Sequence, residues 1–254
     1  MLEEIVLQVG KHGIDDRRKI VMEGALVRPD SRHRDIGILF APGLNVHWKH
    51  YIDYFSKQIG DRWPIYVTQL RRRGWAGGQT LVNDVMQIDA HIRDRLETDR
   101  LVYFGHSVGV PIAIRASMQH ARQVLGYLGM ATYPSYGDCF NANPYIRKIN
   151  RKQQLVNAVG KKTNFGWLAF PLRDAKFSAP AHFVIANRDE VIYTCFRSVR
   201  RRFKNYFESI GSAEVIPGNH VFNQRLFKLR PYNKDNPIPL LQQAFYFVER
   251  LVGD

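Results

Sequence analysis

Apolar and polar positions along this 254-residue chain fall into two alternating rhythms. Glu4-Ile-Val-Leu-Gln-Val9 and Lys19-Ile-Val-Met-Glu-Gly-Ala-Leu-Val27 read as two strands, separated by the polar turn Gly10 to Arg18. Asp35-Ile-Gly-Ile-Leu-Phe40 is a nearly continuous apolar run, as expected of a strand covered on both faces. It ends in Ala-Pro-Gly, after which Trp48, Tyr51, Phe55 and Ile59 recur at helical spacing. Pro64 to Thr68 predicts the next strand, and Val85, Ile88, Ile92 and Leu96 predict one face of a helix. Leu101 to Phe104 is another buried strand, followed by a helix carrying Ile112, Ala113 and Ala116. Val124 to Met130, Ala181 to Ile185 and Ala213 to Ile216 are further strands. A last helix starts near Pro237 and presents Leu241, Phe245, Val248 and Val252 on one face.

Regular alternation of strand and helix from residue 35 onward predicts an α/β fold, a mostly parallel eight-stranded sheet with helices on both faces. The two leading strands form a hairpin at one edge. Residues 133–180 break the rhythm: they hold no buried strand and are rich in aromatics, Asn, Lys and Arg. A structureless loop of that length is foreign to a compact domain, so the interval reads as a small, partly helical cap. The expected organisation is a core of residues 1–132 and 181–254 with a cap at 133–180.

Chemistry enters at Leu101-Val-Tyr-Phe-Gly-His-Ser-Val-Gly-Val110, where one serine stands between two glycines directly after a strand. A very sharp strand-to-helix turn forces its central residue into a strained backbone and brings strand and helix close together. Positions two residues either side must then be tiny, and Gly105 and Gly109 meet that demand. The turn aims the Ser107 hydroxyl at a cleft and directs the neighbouring His106 elsewhere, into packing. A serine hydroxyl is a poor nucleophile without a base, and the base needs an orienting acid. Asp189, after the strand at Ala181, and His220, after the strand at Ala213, are the candidates. Gly218 permits a loop that swings the imidazole inward. Glu190, next to Asp189, is a competing position for the acid.

With Gly105-His106-Ser107-Val108-Gly109, Asp189 and His220 in that order, the chain resembles the α/β-hydrolase family over nearly its whole length. The resemblance implies a nucleophile elbow at Ser107, an acid at Asp189, a base at His220, and an esterase- or lipase-like serine hydrolase; Asp138 is the residue nearest the family's alternative acid position. It also implies an oxyanion hole made of backbone N–H groups, here Val108 and Leu44. The family usually has a His-Gly pair in the second loop, whereas this chain has Pro42-Gly43-Leu44. Asn45 and His47 either line the same wall or cap the helix near Trp48. Arg73-Gly74-Trp75-Ala76-Gly77-Gly78 weakly resembles a structural loop of the family. Tyr133, Tyr136 and Trp167 are pocket candidates from the cap, while core packing is the expected job of at least half of the cap's aromatics.

Bulk charge adds one constraint. Thirty-seven Lys and Arg against 23 Asp and Glu give a net charge of +14, a field that attracts anions. Arg71-Arg72-Arg73 lies at a strand end, and Arg147, Lys148, Arg151, Lys152, Lys161 and Lys162 fall in the cap. Arg197, Arg200, Arg201 and Lys204 form a helical stripe opposite Phe196, Val199, Phe203 and Phe207, which reads as a solvated face. The expected partner is a small-molecule ester or thioester. An anionic substrate, an acyl carrier serving a thioesterase or acyltransferase, and an acidic membrane surface are the alternatives that the charge favours. A hydrolase-fold ligand-binding protein is the non-enzymatic alternative, and no recognition motif for nucleic acid is visible. Nothing calls for a cofactor or metal; His47, His50 and Asp53 recur at three-residue steps that drift around a helix and converge poorly on an ion. Cys139 and Cys195 are too few for a disulfide framework, and the acidic N-terminus lacks a secretion pattern, so free thiols in the cytoplasm are expected.

Overall fold

The computed structural model describes residues 2–9, 20–28, 36–43, 48–49, 51–52, 62–68, 78–96, 98–134, 172, 177–220 and 239–252. Strands β1 (Leu2–Val9), β2 (Ile20–Val27), β3 (Ile36–Ala41), β4 (Ile65–Thr68), β5 (Arg100–His106), β6 (Val124–Met130), β7 (Ala181–Ala186) and β8 (Ser212–Ile216) form one sheet in the order β1-β2-β4-β3-β5-β6-β7-β8. β1 pairs antiparallel with β2, and β2 antiparallel with β4; every other neighbouring pair is parallel. The predicted edge hairpin and parallel core are both present. Four longer helices lie among the described residues: α1 (Gly78–Leu96), α2 (Gly109–Ser117), α3 (Arg197–Ile210) and α4 (Pro239–Val252). A 3-10 segment, Met118–Gln123, joins α2 to β6.

Period-two alternation along the central strands sorts their side chains into two buried layers. Leu39 and Ala41 of β3, Tyr103 of β5 and Phe183 of β7 pack with Val85, Ile88 and Ile92 of α1, Val110 of α2, and Phe203 and Phe207 of α3. Ile38 and Phe40, Val102 and Phe104, and Val184 face the opposite way, against Trp48, Ile52, and Phe247 and Val248 of α4. All six residues of β3 are buried, which explains the unbroken apolar run. Among the described residues no helix is long and apolar enough to cross a membrane.

α2 sits unusually close to the sheet. A Cβ added to Gly109 would run into the carbonyl oxygens of Ala41 and Pro42 at the end of β3. One added to Gly105 would lie 2.6 Å from both the Cα and N of Val110. The two glycines are therefore required by contact, as the Ser107 turn predicts. We expect Gly109→Ala to push α2 off β3 and destabilise the fold by about 1–3 kcal/mol or more. A urea unfolding midpoint equal to wild type would refute this account of the contact.

Candidate active site

Ser107 stands at the carboxyl end of β5 with φ 56°, the left-handed region that side chains other than glycine rarely adopt. Bonds on both sides hold it there. Its N–H donates to the Met130 carbonyl at 2.8 Å, and its own carbonyl accepts the Thr132 hydroxyl at 3.0 Å and the Val110 N–H at 3.2 Å. The end of β6 thus clamps the turn that opens α2. Val108, next to Ser107, is buried and occupies the cap position of α2 with no side-chain cap.

The candidate acid and base follow the neighbouring strands β7 and β8, whose ladder aligns Ala186 with Ile216. Their following loops remain stitched together. Asn187 N–H donates to the Ile216 carbonyl at 2.9 Å, Arg188 N–H to the Gly218 carbonyl at 2.8 Å, and Gly218 N–H to Asn187 Oδ1 at 3.3 Å. This continuation brings Asp189 and His220 together: His220 Nδ1 donates to Asp189 Oδ2 at 2.7 Å. Asp189 is completely buried, and its other oxygen accepts the N–H groups of Val191 at 2.8 Å and Ile192 at 3.1 Å. Those bonds orient the carboxylate before the imidazole binds it. The competing Glu190 is exposed, and Asp138 lies outside the described residues.

Two expectations are corrected by contacts that helical spacing does not reveal. Arg200 is not part of a solvated stripe. Its Nη1 reaches back to donate to the carbonyls of Asn187 at 2.9 Å and Thr194 at 3.0 Å, fastening the acid loop to α3. Phe196 is 55% exposed, because it precedes the helix as its extended N-cap and escapes the helical period. Cys195 is a free thiol, half-buried beside this loop.

His106 is packed, as expected, but its ring is also part of the site. Its Nε2 lies 2.7 Å from the main-chain oxygen of His220, and its Nδ1 lies 2.9 Å from the Tyr51 hydroxyl. The two imidazole rings are 5.0 Å apart. Burial, and secondarily the proximity of His220, pushes the His106 pKa down to about 3. No signal in the sequence distinguished this role from packing. Tyr133 is buried in the layer that holds α1, α2 and α3. Leu44, Asn45, His47, His50, Asp53, Arg71–Arg73, Tyr136, Cys139, Trp167 and the basic residues of the cap lie outside the described residues.

Neither a protein-family model nor a curated protein matches the sequence. Solved structures do. A thermostable carboxyl esterase from Bacillus coagulans superposes with a TM-score of 0.68 at 13% identity, covering 99% of both chains. A lidless α/β serine hydrolase from Xanthomonas campestris gives 0.60 at 14% identity, over 98% of this chain and 94% of that one. The chain has the α/β-hydrolase fold. A bacterial membrane phospholipase A, described as a virulence factor, shares this α/β-hydrolase fold at a TM-score of 0.59 and 16% identity, over 100% of this chain and 87% of that one.

The buried neutral His106 has a thermodynamic consequence. Its native pKa lies below the ordinary histidine value of 6.5, so on acidification the unfolded chain takes up the proton first. Its effect is absent above that value and destabilises increasingly as pH falls toward about 3. Mid-window the slope approaches about 1.4 kcal/mol per pH unit. His182, also lowered mainly by burial, acts in the same sense, whereas the buried Asp89, raised by burial, opposes it. Denaturant titrations at several pH values should therefore show a shallower loss between pH 6 and pH 4 for His106→Gln than for wild type. Parallel curves would show that His106 is not buried neutral.

Proposed function

We propose that this protein is a serine hydrolase that cleaves carboxylic esters through an acyl-enzyme, with Ser107 as nucleophile, His220 as base and Asp189 as orienting acid. The observation that carries the reading is the 2.7 Å Asp189–His220 bond, linked to the strained, clamped Ser107 turn through His106, whose Nε2 lies 2.7 Å from the His220 main-chain oxygen. The esterases and phospholipase that share the fold support the same class of reaction.

In this reading the Ser107 Oγ attacks the ester carbonyl carbon while its proton passes to His220 Nε2. His220 Nδ1–H stays on Asp189, which holds the ring in the required tautomer and stabilises the imidazolium. The carbonyl oxygen becomes an oxyanion facing the Val108 N–H, with Leu44 N–H as the second donor. Collapse breaks the C–O bond, and His220 returns its proton to the departing alcohol. Water then attacks the acyl-serine, again giving its proton to His220, and the acid leaves as Ser107 recovers its own. Every step uses only protons and bonds of substrate, water and these three residues.

A fluorophosphonate probe should label wild type and fail to label Ser107→Ala or His220→Ala. Turnover of a p-nitrophenyl ester should fall by at least roughly 10⁴-fold in either variant. Absence of labelling in wild type would reject the hydrolase reading in favour of a ligand-binding protein.

The +14 net charge favours a second reading on the same residues, a thioesterase or acyltransferase acting on an anionic acyl carrier. A thioester compared with its oxygen ester, each in anionic and neutral form, separates the two. If the charge steers substrate, kcat/KM for the anionic form alone should fall steeply between 20 and 300 mM salt, that is, as the screening length drops from about 20 Å to below 8 Å. Equal salt responses would remove the anionic preference.

A further inference from the structure

We infer that Tyr51 and His106 form a positioning arm that fixes the main chain of His220 and ties it to the loop after β3, a support for the base separate from Asp189. The inference rests on the reading of His220 as the base.

The direction of every bond in the arm is forced. The His220 carbonyl can only accept, so His106 Nε2 must carry the proton. Burial keeps the ring neutral, so Nδ1 offers a lone pair. The Tyr51 hydroxyl must then donate to it, and burial, which raises this phenol well above its usual pKa, keeps that proton in place. The Tyr51 oxygen is left as an acceptor, and the Gly43 N–H fills it. The chain runs in one polarity from Gly43 through Tyr51 and His106 to His220, an arrangement in which each bond strengthens the next. An apolar side chain would fill the His106 site without the cost of a buried imidazole. What histidine adds is two directional bonds, one to each side.

Geometry makes this support complementary to Asp189. The carboxylate grips the His220 ring at Nδ1. His106 grips the same residue by its carbonyl, restraining the loop that carries the ring. Gly43 also packs against this arm: a Cβ on it would lie 3.0 Å from His106 Nδ1 and 3.5 Å from the Ser107 Cβ. One network therefore touches the loop that precedes Leu44, the turn bearing Ser107, and the base. Neither His106 nor Tyr51 takes part in the reaction; they act through His220 and the adjacent loop.

The test compares wild type, His106→Ala, His106→Gln and Tyr51→Phe. The Gln amide nitrogen can place a donor near the former Nε2 site; Phe removes one hydroxyl and keeps the ring. Expected are a kcat loss of about 10- to 100-fold in His106→Ala, a smaller loss of roughly 3- to 10-fold in Tyr51→Phe, unchanged KM, and substantial recovery in His106→Gln. A second readout needs no substrate. The far-downfield NMR signal of the His220 Nδ1 proton, assigned by its loss in His220→Ala, should broaden or shift in His106→Ala and return in His106→Gln. A lowered Tm with kcat and that proton unchanged would show mere packing and overturn the arm. Should His106→Ala not fold, Tyr51→Phe and His106→Gln carry the same decision. Should wild type turn over no ester, the proposed function fails while the NMR comparison still decides whether the arm positions His220.

Discussion

The approach of α2 to the ends of β3 and β5 is the constraint on which the site depends. With Gly109 against the carbonyls of Ala41 and Pro42, and Gly105 against the Val110 backbone, the chain has no room for a gradual turn. Ser107 is driven to φ 56°, a conformation that costs of order 1–3 kcal/mol and persists only when its surroundings over-determine it. They do so here. The end of β6 contributes the Met130 carbonyl on one side of the turn, and the segment just after it contributes the Thr132 hydroxyl on the other. The strain and its restraints are parts of one device: a helix start pressed onto a parallel sheet, with the half-buried Ser107 held in the turn that opens it.

A second constraint operates at the far edge. β8 is three strand spacings from β5 in the sheet order, about 14 Å at ordinary spacing. No histidine side chain spans that distance, so the loop after β8 must lean back over the strand ends to bring His220 beside His106. The stitching of the β7 and β8 loops carries it part of the way, and Arg200 anchors the same region from below. The loop is then caught at the centre of the sheet by His106. The candidate acid, base and serine thus follow different strands, and the hydrogen bonds that join their loops replace what distance along the sheet would otherwise keep apart.

Most of the framework was legible because its signals are local. Buried strands announce themselves as apolar runs, and a glycine two residues either side of Ser107 states a contact requirement in five positions. The order of Ser107, Asp189 and His220 follows from counting strand ends. What escaped depends on the far ends of side chains. Helical spacing places the Cα of Arg200 on a face but says nothing of where a long guanidinium stem turns. Phe196 fits the helical period although it stands outside the helix. His106 could be read as buried, yet burial names no partner. Its partners come from residue 51 and residue 220, and only the folded sheet brings them to one place.

The choice of a histidine at position 106 has an electrostatic logic in the proposed reaction. When His220 takes the serine proton, a second cationic imidazole 5.0 Å away would oppose it. His106 avoids that conflict because burial keeps it neutral over the whole range in which an ordinary histidine titrates. Lysine or arginine could also donate to the His220 carbonyl, but each would bring a permanent charge to the back of the base. Asparagine or glutamine would donate without charge, but each lacks the rigid ring that spans from Tyr51 to His220. A neutral imidazole supplies a donor and an acceptor on opposite edges of a stiff frame. Its cost is sensitivity to acid, and that cost comes from the same burial that keeps it from competing for the proton.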